Sequence, residues 1–98
     1  MKITIAGSIE VRAKLHFHAG NTYFAAKIYQ NDQLTHTLPF QYGYGEQYLH
    51  EAREVLKLDA PLWTYCRDNN MEFSYGADDK GGKGYTEAHL KTWIKGVK

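Results

Sequence analysis

The chain predicts an α+β fold: an antiparallel β-meander with helices packed on one face, in the order β-β-β-α-α-β-α. Three observations carry this. Odd positions of the opening segment are apolar, two Gly- or Asn-bearing reversals cut the first third into strands, and after Gly43 the apolar period changes from two to about 3.6.

The first strand is read from Ile3, Ile5, Gly7, Ile9, Val11, Ala13, Leu15 and Phe17, with Glu10, Arg12, Lys14, His16 and His18 on the wet face. Gly7-Ser8 is expected to interrupt it as a bulge or turn. Ala19-Gly20-Asn21 predicts a hairpin into Thr22 to Tyr29, whose packed face would hold Phe24, Ala26 and Ile28. Asn31-Asp32 marks a second reversal before Leu34 to Tyr42, and Pro39 sends that strand to an edge, because proline cannot donate to a ladder. A helix from about Glu46 to Lys57 would bury Tyr48, Leu49, Ala52, Val55 and Leu56. Asp59 reads as the N-cap and Pro61 as the first-turn proline of a short helix from Leu62. Met71 to Tyr75 alternates as a fourth strand, and Asp78 to Gly84 is a polar, glycine-rich loop. Thr86 caps a last helix carrying Ala88, Leu90, Trp93 and Ile94 inward, with Gly96 as its stop.

Ninety-eight residues predict one domain, residues 1–98. Apolar residues at 43% and charged residues at 23% exclude a disordered or collagen-like chain. Twelve Lys and Arg against 11 Asp and Glu leave a net charge of +1, too balanced for a strongly basic nucleic-acid binder or an acidic DNA mimic. Neither a membrane span nor a signal peptide is expected, since no long apolar run is present. A lone cysteine, Cys66, offers no internal disulfide and fits a reducing cytoplasm.

No catalytic or cofactor signature stands out, and the expectation is a chain that is not an enzyme and needs no cofactor. His16-x-His18 can contribute two imidazoles to a metal only if a third ligand such as His36, His50 or Asp78 approaches, and no second cluster supplies it, so no metal is assigned. Cys66, four residues after Leu62, reads as a small buried hydrophobe rather than a nucleophile. Gly43-Tyr44-Gly45 precedes a helix but lacks the Gly-Lys-Ser/Thr of a phosphate loop, and Glu46 adds the wrong charge. Glu46, Glu51 and Glu54 share the wet side of one helix, where charge serves solubility.

The aromatic content is more informative: eight Tyr, four Phe and two Trp. Tyr23 and Tyr29 alternate with Phe24 and Ile28 and therefore face away from the packed side, with Lys27 between them and His16 and His18 on the neighbouring strand. Tyrosine joins a large rigid contact area to a hydroxyl, which suits protein interfaces. His16, His18, Tyr23, Lys27 and Tyr29 are thus the predicted partner-binding residues, on a sheet face expected to lie uncovered. The alternative partner is nucleic acid, stacked on the same aromatic and basic face. The β-β-β-α order loosely resembles double-stranded RNA-binding domains, but Glu46, Gln47 and Glu51 stand where that family places lysines.

Gly20-Asn21-Thr22-Tyr23 and Pro39-Phe40-Gln41-Tyr42-Gly43-Tyr44-Gly45-Glu46-Gln47-Tyr48, with the later Leu62-Trp63-x-Tyr65-Cys66, resemble small proteins encoded in phages and prophages. The resemblance covers about residues 12 to 75 and carries no catalytic residue. It implies a cytoplasmic accessory protein made in a bacterium, which binds and inhibits a host protein or ribonucleoprotein complex, anti-CRISPR action being the sharpest form. It implies no membrane and no small-molecule substrate.

Overall fold

A computed structural model describes residues 6–96. The expected Ile3 and Ile5 positions of the first strand lie outside the described residues. The elements follow the predicted order: β1 Gly7–His18, β2 Asn21–Gln30, β3 Gln33–Tyr42, α1 Gln47–Val55, α2 Leu62–Asp68, β4 Met71–Asp78 and α3 Glu87–Lys95.

Both hairpins turn on two residues with positive φ: Ala19 and Gly20 at 52° and 81°, then Asn31 and Asp32 at 54° and 67°. Such turns match the twist of the strands they join, so β1, β2 and β3 form the antiparallel meander. Gly7 and Ser8 do not break β1. A side chain at Gly7 would collide with Asn31 Oδ1, and the Ser8 amide donates to that same oxygen at 2.9 Å, so the glycine serves a close approach within the strand.

β4 runs parallel to β1, from Gly7↔Met71 to Lys14↔Asp78, giving a mixed sheet in the order β3-β2-β1-β4. The chain leaves β3 on one edge, crosses under α1 and α2, and re-enters on the other edge in the direction β3 had taken. A connection long enough to hold two helices permits this parallel return, whereas a tight turn would not.

On the first face, Ile9, Val11, Phe24, Ala26, Ile28 and Leu38 meet Tyr48 and Ala52 of α1 and Leu62 and Cys66 of α2. Val55, expected inside, sits at the exposed end of α1. Pro61, not Asp59, occupies the N-cap of α2, and no side chain caps that helix.

The helices do not all pack on one face. α3 touches β1, β2 and β3, and its Trp93 stacks against Lys14 and Lys27, whose side chains leave the sheet on the face opposite the core. Leu90 and Ala25 are both fully buried yet stand apart from the main core, marking a thin second apolar layer. Thr86 caps α3 as expected, its Oγ1 accepting from the His89 amide at 3.0 Å. Ala88, expected inward, is exposed.

Candidate functional site

α3 divides the second face into a covered centre and an open margin. Under the helix, the Lys14 and Lys27 ammonium groups lie 4.7 and 4.6 Å from the Trp93 ring centroid, so the indole meets two cations. Lys14 also sits 4.8 Å from the Tyr85 ring. Lys27 is therefore engaged within the chain rather than presented to a partner.

Burial and the neighbouring Lys14 charge together hold the Lys27 ammonium below the ordinary lysine value of 10.5. Between that lowered pKa and the ordinary one, the unfolded chain binds more protons than the folded chain, so this group makes stability rise with pH. Lys27→Met keeps an apolar stem beside Trp93 and removes the effect. Urea midpoints measured through the alkaline range should show a wild-type-minus-variant difference that climbs with pH; a difference flat in pH would mean that the ammonium is not desolvated.

At the margin, rings from three strands and a loop form an unbroken row. His16 and His18 of β1 stack with centroids 6.2 Å apart, and His16 lies 5.7 Å from Tyr23 and 5.5 Å from Phe40. Tyr23 stacks on Phe40 at 5.4 Å and meets Tyr42 edge-on at 5.6 Å, and Tyr42 meets Tyr44 at 6.2 Å. Tyr42 and Tyr44 remain 56% and 68% exposed, which is unusual for large rings within such a cluster and leaves that end of the row free for contact.

The other end is closed by the start of α3, where Glu87 joins His16, His18, Tyr23 and Phe40 around a hollow of about 290 Å³. His16 Nδ1 lies 2.7 Å from the Tyr85 carbonyl oxygen. A carbonyl can only accept, so Nδ1 carries a proton and donates, which fixes the ring's orientation. The Glu87 carboxyl is held below its ordinary pKa, first by its hydrogen bond to Lys91 and further by the Lys91, His16 and His18 charges. It is anionic in neutral solution.

Among the described residues no three His, Cys, Asp or Glu side chains gather closely enough to hold a metal ion, so His16 and His18 are not joined by His36, His50 or Asp78. Cys66 is buried, and desolvation raises its thiol pKa, which keeps the sulfur protonated and unsuited to nucleophilic attack. No helix among the described residues is long and apolar enough to cross a membrane.

The chain was compared with protein-family models, curated proteins and solved structures, and none matches.

The five predicted binding residues thus separate into one group of three and two isolated residues. His16, His18 and Tyr23 come together at the margin. Lys27 lies beneath Trp93. Tyr29 is six residues along β2 from Tyr23, about 20 Å at the rise of a strand, and pairs across to Glu10 at the opposite end of the sheet. Strict alternation also misplaces Phe40, which would share a face with Leu38. An extra residue in β3 between the Leu38 and Gln41 pairings reverses the faces, so Phe40 and Tyr42 join Tyr23. Pro39, inside that irregularity, is the sequence signal that marks it.

Proposed function

We propose that this chain is a non-enzymatic docking module that binds a larger protein surface through the aromatic margin of its sheet. In the setting its resemblance implies, the partner is a host protein or ribonucleoprotein complex in a bacterial cytoplasm. The outcome is inhibition by occlusion, as an anti-CRISPR protein would achieve it. One observation carries the reading: an open row of rings whose last two members, Tyr42 and Tyr44, are mostly exposed although they pack edge-on to one another. Large amphipathic rings, prearranged by stacking, lose little freedom on binding and make effective anchors.

The nucleic-acid alternative has less support. Lys14 and Lys27 are held against Trp93, Lys91 pairs with Glu87, and Glu87 places a negative charge beside the hollow. Phosphate recognition needs free cations at such a place.

The tagged chain, used to capture partners from a bacterial lysate, tests this directly. Tyr42→Ala/Tyr44→Ala should weaken capture at least about tenfold, the loss expected when two anchors are truncated. Because both rings are exposed, the melting temperature should move by only a few degrees. Undiminished capture by the double variant would overturn the proposed surface. Capture that vanishes with nuclease and falls steeply with salt would transfer the reading to nucleic acid.

A further inference from the structure

The two edges of the sheet are built differently. β3 is guarded against pairing by Pro39 and by two irregularities in register. β4 carries none of these devices: it is an eight-residue strand in unbroken register with β1, without proline or lysine, and among the described residues no strand neighbours its outer edge. Beside that edge, Trp63 of α2 and Tyr75 of β4 are 58% and 47% exposed, and with Leu49, His50 and Phe73 they help line an apolar groove of about 310 Å³. An edge of this kind is a template for another strand.

We propose that β4 pairs antiparallel with β4 of a second copy of this chain, across a two-fold axis that passes through Ser74 perpendicular to the sheet, joining two four-stranded sheets into one. Symmetry confines the choice of register. Directly opposed residues must share a face, so the axis passes through a residue position. With Ser74 on the axis, Phe73 stands opposite the partner subunit's Tyr75, and the reverse, on the face that holds the groove. On the other face Glu72 stands opposite the partner subunit's Gly76. A shift of the axis to Tyr75 would instead set Glu72 against the partner subunit's Asp78, two like charges.

The charge complementarity lies in Gly76. A side chain there would sit 3.2 Å from Arg12 Nη1, so the Arg12 guanidinium lies over this bare stretch of backbone and reaches toward the sheet edge. Its Nε is paired with Glu10. Its Nη1 lies beside Gly76, the position opposite which the partner subunit's Glu72 would enter. Each interface would thus contain two Arg12–Glu72 pairs related by the axis, with two aromatic pairs on the opposite face. One chain supplies both halves of the match, Arg12 from β1 and Glu72 from β4, which favours a second copy over an unrelated peptide.

Sedimentation equilibrium on the full chain tests the proposal, with substitutions at Ser74, which is exposed and meets only itself in this register. The wild type should show a concentration-dependent dimer. Ser74→Lys and Ser74→Glu, each placing like charges face to face, should each raise the dissociation constant at least about tenfold, and an equimolar mixture of the two should recover dimer. In the wild type, amide exchange in residues 71–77 should slow as concentration rises, a measurement that needs no variant. A wild-type chain that stays monomeric, or a Ser74→Lys chain that dimerises as well as wild type, would overturn the assignment. So would a mixture no more dimeric than its components.

Discussion

Phe24→Ala should lower the free energy of unfolding by about 3–5 kcal/mol, the usual cost of removing a fully enclosed phenylalanine from a core. Phe24 is wholly buried, meets Tyr48 edge-on at 6.4 Å, and fills the space beside Gly43, where even a methyl group would come within 2.7 Å of its ring. The ring therefore joins β2 to the entry of α1, and its loss opens a cavity that Gly43 cannot close. A chain of this length has a total stability of only about 5–15 kcal/mol, so the variant should be partly unfolded at physiological temperature. Urea denaturation followed by far-ultraviolet circular dichroism measures the change. A loss below about 1 kcal/mol would show that this ring does not close the main core.

Leu90→Ala should cost about 2–4 kcal/mol, toward the lower part of the range for buried leucines because the layer around it is thin enough to relax. Its more telling effect is local. Leu90 is the only buried residue of α3, and the helix is otherwise held by the contacts of Trp93 with two lysines and by contacts at the sheet margin. Losing the leucine should let α3 separate before the sheet unfolds. Trp93 fluorescence would then change at lower urea than the circular dichroism of the sheet, the two transitions no longer coinciding. Trp63 reports in the same spectrum, so the comparison belongs in a Trp63→Phe background. Coincident transitions with a loss below about 1 kcal/mol would mean that α3 is not secured by this side chain.

Much of the architecture was legible because it depends on neighbours in the chain. Ala19-Gly20 and Asn31-Asp32 tolerate positive φ, alternation puts Phe24, Ala26 and Ile28 on one side of β2, and Thr86 can accept from a backbone amide three residues on; each of these is local. Of the candidate site, the face of Tyr23, His16 and His18 was legible by the same alternation. Phe40 was not, since one additional residue near Pro39 reverses the face of everything beyond it. Tyr29 was rightly placed on the second face but wrongly grouped with Tyr23, because alternation states a side and not a position along it.

α3 shows the largest gap between the two kinds of information. Its apolar residues require a surface to cover but do not say which, and both faces of the sheet could receive a short helix.

The sequence by itself determined the α+β class, the order of the elements, both hairpins and the side to which most strand residues point. All of these follow from turn geometry and from periods of two and about 3.6, which act over a few residues. The tertiary structure alone decided that β4 runs parallel to β1, that α3 closes the centre of the second face over Lys27, and that an aromatic margin and, among the described residues, the outer edge of β4 stay open. These features depend on which distant segments meet, and that choice is made by the burial of the whole chain rather than by any segment's own preference.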